Sequence, residues 1–260
     1  MRDTYLFDLD GTLLPMDYDK FMHLYFFALS KHFDGQYDLK QLQKTILEGT
    51  EIMFHNDGTM TNEDAFWHFA KTRMPFDLDR DKPLFEHFYD STFSTARDAT
   101  WQNPIAAKCI HHLKEKGFTL AIATNPLFPR IATLNRIRWA GLDPEDFALI
   151  STYEDFHYAK PNLGYYREML DRLGKSPEQC IMIGNDNQED MCAESLGIKS
   201  YLIDDCLLNH GDAPLHDWHG SFESFFDLIK SARKIKAENI KIEDAVADQL
   251  SGARSKSAGS

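Results

Sequence analysis

Tyr5-Leu6-Phe7-Asp8-Leu9-Asp10-Gly11-Thr12-Leu13-Leu14 decides the fold of this chain. Three apolar residues run straight into a turn bearing two carboxylates, a glycine and a hydroxyl. An uninterrupted apolar run of this kind suits a strand covered on both faces, as in a parallel sheet. The same texture returns downstream. Residues 118–123 run into Thr124-Asn125, and residues 147–150 precede a loop containing Lys160-Pro161. Residues 180–183 run into Gly184-Asn185-Asp186, with Asp190 four residues on, and residues 199–203 form a fifth strand-like run. Gly117, Gly141, Gly174 and Gly197 each follow a helical stretch and precede a strand run, the usual place for glycine just past a helix end. Repeated helix–glycine–strand units predict a parallel sheet with right-handed crossovers, an α/β fold.

Between the first strand and the rest lies a different pattern. From residue 17 to residue 100 the periodicity is helical throughout. Residues 20–33 are aromatic-rich, and Leu39, Leu42, Ile46, Leu47 and Met53 fall on one helical stripe. Thr61 and Asp64 resemble a capping box that opens a helix carrying Phe66, Phe69 and Ala70. Pro83 suits the first turn of another helix, with Leu84, Phe85, Phe88 and Phe93 on it. The expectation is a bundle of about four helices. One further amphipathic helix is expected at residues 222–230, and the charged tail from Ala237 reads as disordered.

Composition narrows the functional classes. The 260 residues are 43% apolar and 13% aromatic, which supplies a packed core and rules out a low-complexity chain. Lys and Arg number 28 against 41 Asp and Glu, and the net charge of -13 argues against a nucleic-acid partner. The cysteines at 109, 180, 192 and 206 form no CxxC pair, so reduced thiols are expected rather than a disulfide framework. Charges at positions 2, 3, 8 and 10 leave no signal-peptide core. Residues 21–29 contain His23 and precede Lys31, well short of the roughly 18 apolar residues of a membrane span. A soluble, cytoplasmic protein with no membrane partner is expected.

The chemistry collects at the strand ends, where open α/β sheets bind ligands. Asp8, Asp10, Asp186 and Asp190 in one site would repel one another unless a divalent cation neutralised them, and oxygen-only ligands of this type suit Mg2+. Lys160, Thr124 and Asn125 would surround a place where a phosphoryl group could sit. An aspartate aimed at phosphorus can act as nucleophile, and a second carboxylate nearby can protonate the leaving oxygen and then deprotonate water. Gly11 lets backbone N–H groups approach phosphate. Taken singly these residues have blander readings. A strand-end Asp is often a helix N-cap, Thr124 and Asn125 can simply form a turn before Pro126, and a lone lysine is usually solvated. His111 and His112 in a helix, and His210, His216 and His219 in a loop near Cys206, follow no zinc spacing and read as surface or capping residues.

Asp-Leu-Asp-Gly-Thr at 8–12, Thr124, Lys160-Pro161 and Gly184-Asn185-Asp186 with Asp190 together resemble the four motifs of the haloacid dehalogenase superfamily of hydrolases. The resemblance implies a Rossmann-like core, here residues 1–15 and 101–232, with an inserted all-helical cap at 16–100 and a tail at 233–260. It makes Asp8 the nucleophile and Asp10 the general acid and base. It gives the Asp8 carboxylate and the Asp10 carbonyl to Mg2+, has Thr124 donate to a phosphoryl oxygen and has Lys160 neutralise charge around Asp8; Gly11, Thr12 and Asn125 are expected to contact the substrate together with Thr124 and Lys160. Dehalogenase members lack the second acid, so Asp10 favours phosphoryl transfer. In the fourth motif Asn185 follows the glycine where Asp is common. Either Asp186 is the direct metal ligand, with Asp190 in the same shell, or Asn185 supplies a neutral oxygen; the first is favoured. Leu163 stands where the third motif often has a second proline. The implied activity is a Mg2+-dependent phosphatase acting on a small phosphorylated metabolite through an aspartyl-phosphate. The alternatives are a phosphotransferase or mutase on a sugar phosphate, and a non-catalytic regulatory module that keeps the fold.

Overall fold

The computed structural model describes residues 2–211, 216 and 218–231; the expected tail at 233–260 lies outside these. Six parallel strands form one sheet in the order β3-β2-β1-β4-β5-β6. They are β1 (Thr4–Phe7), β2 (Thr119–Ile122), β3 (Leu149–Ile150), β4 (Cys180–Gly184), β5 (Lys199–Ile203) and β6 (His219–Gly220). The first strand of the chain is therefore central. Phe7 lies beside Ile122 of β2 and Ile183 of β4. This register brings the residues just after all three strands to the same edge of the sheet. Strand order reverses at β1, with later strands added on both sides, and such a switch point opens a crevice at the carboxyl ends.

Alternation along the strands divides the core in two. Tyr5, Phe7, Ile122, Ile183 and Ile203 face the helices α5 (Pro104–Glu115) and α8 (Phe222–Ser231). Leu6, Ala121 and Met182 face α7 (Leu163–Leu173), where Tyr165, Tyr166 and Met169 cover them. The remaining core helix, α6 (Arg130–Trp139), follows β2. The four glycines expected to end helical stretches all take left-handed φ, between 62° and 93°.

The block between β1 and α5 is wholly helical: α1 (Tyr18–His32), α2 (Leu39–Phe54), α3 (Asn62–Arg73), α4 (Leu78–Asp90) and a 3-10 helix at Thr92–Ala99. Each α-helix opens on a side-chain cap, from Asp17, Asp38, Thr61 and Asp77 respectively, which satisfies N–H groups that have no partner within the helix. Aromatic rings fill the block edge to face, with Trp67 5.4 Å from Phe85 and Phe21 6.2 Å from Phe93. Chain entry and exit lie side by side. Asp17 N donates to the Ala99 carbonyl at 3.0 Å and Trp101 N to that of Pro15 at 3.1 Å.

Three local expectations are corrected. Pro83 lies inside α4, not in its first turn, because the Asp77 side chain caps Asp79 N and starts the helix earlier. Phe93 falls beyond α4, in the 3-10 helix. His219, read as loop, begins edge strand β6, whose two residues are too short to show periodicity. Among the described residues no helix is long and apolar enough to cross a membrane, and all four cysteines are free thiols.

Candidate active site

Asp8 is the first residue past β1, and its N–H donates to the Ile183 carbonyl at 2.8 Å, fixing it over the neighbouring strand. Its side chain is buried, 6% of the residue being exposed. The chain then closes into a tight loop, with Gly11 N donating to the Leu14 carbonyl and Leu14 N to that of Leu9, both at 2.8 Å. Gly11 has φ +87°, and a Cβ there would lie 2.3 Å from Asn185 Nδ2 and 2.5 Å from the Tyr18 hydroxyl. No larger residue fits. Gly11 and Thr12, expected to touch substrate, are not among the residues lining the cavity. The Gly11 N–H is already engaged in its loop, and the Thr12 hydroxyl donates to Asn185 Oδ1 at 2.9 Å while lying 3.4 Å from Asp8 Oδ2.

Lys160 comes from the loop between β3 and α7 and is 1% exposed. Its Nζ lies 2.9 Å from Asp8 Oδ1 and 2.6 Å from Asp190 Oδ1. Burial alone would favour the neutral amine, but the Asp190 and Asp8 carboxylates outweigh it and hold the ammonium well above its ordinary pKa. Asn125 splints this lysine: its Oδ1 accepts from Lys160 N at 3.1 Å and its Nδ2 donates to the Lys160 carbonyl at 3.2 Å. The same Nδ2 lies 2.8 Å from Glu189 Oε2. Asn125 lines the cavity, yet its amide is engaged with protein and its placement is that of a brace. Thr124 also lines the cavity, its carbonyl fixed by the Ser151 and Tyr165 hydroxyls at 2.7 and 3.0 Å.

Sequence reading missed the partner of Asp10. Arg136 on α6 is 1% exposed and pairs with Asp10 Oδ2, while its guanidinium stacks on the Phe128 ring at 4.5 Å. The only signal was an arginine sharing the buried side of α6 with Ala132, Thr133 and Ile137. The other Asp10 oxygen, Oδ1, is buried without a hydrogen-bond partner. Burial raises the Asp10 pKa while Arg136 and then Lys160 pull it down, and burial prevails. A carboxyl that keeps its proton more readily than usual suits a proton donor. Tyr18, in the first turn of α1, donates its hydroxyl to the Asp10 carbonyl and accepts from Asn185 Nδ2 at 3.3 Å. It carries the helical cap into the site.

The turn after β4 holds the remaining acids. Asp190 Oδ2 accepts from Asp186 N at 2.9 Å, and a Cβ on Gly184 would fall 2.0 Å from that oxygen. Asp186 Oδ1 accepts from Gln188 N and Glu189 N, both at 2.8 Å, and its Oδ2 meets His210 Nε2 at 2.7 Å. Asp186 thus caps its own turn, and the helix that follows, Met191–Leu196, is 3-10. Asn185 and Asp186 both line the cavity, and Asn185 is the one tied to the Asp8–Thr12 loop, through Thr12. Glu189, also unforeseen, has its pKa pushed up to about 7 by burial and by the Asp186 and Asp190 charges.

These groups line a cavity of about 260 Å³ at the strand ends. The profile of the haloacid dehalogenase-like hydrolases matches residues 5–203, well over half of the chain. The chain belongs to this family. Pyrophosphatase PpaX of Bacillus cereus is 22% identical over 204 residues, covering 77% of this chain and 82% of that protein. A HAD phosphatase from Thermococcus onnurineus superposes with a TM-score of 0.54 at 20% identity, over 90% of this chain and 100% of that one. A 2-haloacid dehalogenase from Pseudomonas syringae does so with 0.59 at 18% identity, over 88% and 99%. At such identities the structural likeness is one of fold, and the hydrolase fold serves more than one chemistry.

The donor set fits Mg2+. Among the described residues no group of three or more His, Cys, Asp or Glu forms a ready-made metal cage; Asp190 is engaged by Lys160 and Asp186 by its own turn and His210. Yet the cavity sets Asp8, Asp10, Asp186, Glu189 and Asp190 against Lys160 and Arg136, a surplus of negative charge. Burial, and the Asp190 and Asp10 charges, push the Asp8 pKa up to about 8 against the pull of Lys160. A hard dication beside Asp8 would offset both effects.

Proposed function

We propose that this hydrolase is a Mg2+-dependent phosphatase that removes phosphate from a small phosphorylated metabolite through an aspartyl-phosphate on Asp8. The observation that carries the reading is the pairing of a buried Asp8, held 2.9 Å from the Lys160 ammonium, with a second acid two residues on in the same cavity. Asp8 attacks phosphorus, the bond to the leaving oxygen breaks, and Asp10 delivers its proton to that oxygen. Water then attacks the phosphorus of the acyl phosphate while Asp10 takes the water's proton, which frees phosphate and restores the Asp8 carboxylate. Lys160 balances charge at Asp8 throughout, and Arg136 keeps the Asp10 carboxyl in place. The Asp8 carboxylate, the Asp10 carbonyl and the Asn185 or Asp186 side chain would hold Mg2+, which would supply positive charge to the phosphoryl oxygens.

The names of similar proteins support phosphorus chemistry: PpaX is a pyrophosphatase and the Thermococcus protein a phosphatase. Asp10 supports it over carbon–halogen cleavage. Phosphate release from a panel of small monoesters, with Mg2+ and with a chelator, tests the reading. Metal-dependent release is expected, and no release from any member would favour a non-catalytic module.

A further inference from the structure

A second cavity, of about 200 Å³, lies between the helical cap and the loop after β2. Its walls are the opposite of the first. Tyr25, Trp67, Phe85, Tyr89 and Phe128 supply rings, and no charged side chain lines it among the described residues. The Tyr25 and Tyr89 hydroxyls lie 3.1 Å apart, so one of them donates to the other. Packed interiors hold few voids larger than a water molecule, and an apolar cavity stays dry until an apolar guest enters. The dense ring packing of the same cap shows that the sequence has the side chains to close such a space.

The two cavities share walls. Leu127 and Phe128 line both, and of two consecutive α2 residues Met53 lines the apolar cavity and Phe54 the charged one. Phe128 is also the ring on which Arg136, the partner of Asp10, is stacked. A group leaving from the Asp8 side would therefore have apolar space beyond the acid that protonates it. At the other end, Met22 and Leu47 line the apolar cavity and are 40% and 45% exposed, marking a mouth between α1 and α2.

We propose that the apolar cavity is the leaving-group site, and that the substrate is a phosphate monoester of an uncharged apolar alcohol, one ring or a short alkyl chain in size. The inference rests on the phosphatase reading of the adjoining cavity. Size follows from volume, since drug-sized ligands take pockets of about 300–1,000 Å³. Charge follows from the walls. A leaving group with its own carboxylate or phosphate would find no cation in the apolar cavity and a surplus of carboxylates in the other.

The test measures binding, so it does not depend on turnover. Asp8→Asn is titrated calorimetrically, in the presence of Mg2+, with ethyl, hexyl and phenyl phosphate, glycerol 2-phosphate and phosphoglycolate. Phenyl and hexyl phosphate are expected to bind at least tenfold tighter than glycerol 2-phosphate and phosphoglycolate, since each buried methylene is worth about fourfold. Adding Leu47→Asp at the exposed mouth should erase most of that preference. Equal affinities, tighter binding of phosphoglycolate, or no binding of phenyl phosphate would overturn the proposal. Wild-type turnover judges the other reading separately: similar rates on every monoester with no affinity preference would leave a phosphatase without this specificity, and no turnover with the preference intact would leave an apolar site without the reaction.

Discussion

The cavity at the strand ends is walled by carboxylates, an ammonium and a guanidinium, whereas the cavity beneath the cap helices is walled by rings and aliphatic chains. The contrast follows from the elements that build them. Residues just past parallel strands are held by the sheet, as Asp8 is by the Ile183 carbonyl, so charges can be fixed there within hydrogen-bonding distance of one another. Helix faces present side chains at a spacing suited to packing, and α1–α4 use that spacing for aromatic residues. On the proposed reading, one region does chemistry on a charged group and the other receives an uncharged one. Leu127 and Phe128 stand between them.

The largest effect is expected at Asp8, the proposed nucleophile. Asp8→Asn should lower kcat for phosphate release by roughly 10³-fold or more while substrate still binds. Near-normal turnover by this variant would move the chemistry elsewhere. Lys160→Met leaves Asp8 and Asp190 facing each other without their cation, and urea denaturation should show a loss of about 3–5 kcal/mol. Leu47→Asp, at the rim of the other cavity, should stay within about 0.5 kcal/mol of wild type. Similar losses from both would erase the difference between the regions.

Arg136→Leu removes the cation that most lowers the Asp10 pKa. A fall in kcat of about 10²-fold is expected. Because Asp10 must be ionised to take the proton of water, the acid limb of the kcat profile should move to higher pH. A smaller effect concerns metal and pH together. The folded-state pKa of Asp8 is raised, so the stability it contributes is full below the ordinary carboxylate range and is lost as pH rises towards about 8. Mg2+, binding the ionised form, should therefore raise Tm by several degrees near pH 8 and by less at about pH 5. An equal shift at both would detach the metal from Asp8.

That Asp8, Asp10, Thr124, Lys160, Asp186 and Asp190 would share one cavity was legible because each lies at the end of an apolar run or in the loop after it, and the sheet register brings those run ends together. Tyr18 and Arg136 were not. Each projects from a helix into the site, and the direction of a helix face depends on packing that no local pattern records. Glu189 and His210 sit in turns whose course is set by hydrogen bonds such as Leu208 N to the Asn185 carbonyl at 2.8 Å. Asn185 and Asp186, the two candidates of the fourth motif, differ by a single position just past β4. Thr12, one hydrogen bond of 2.9 Å from Asn185, ties that asparagine to the Asp8 loop. Pro83 misled because proline favours first turns, while the earlier cap at Asp77 had already started the helix.

The most direct measurement is a rapid acid quench of the wild-type enzyme turning over phenyl [32P]phosphate with Mg2+, followed by proteolysis and mapping of the label. A covalent, hydroxylamine-labile label on the peptide that carries Asp8, absent from Asp8→Asn, is the expected result. Turnover of phenyl phosphate with no label on that peptide, or with the label on another carboxylate, would contradict the assignment of Asp8 as nucleophile.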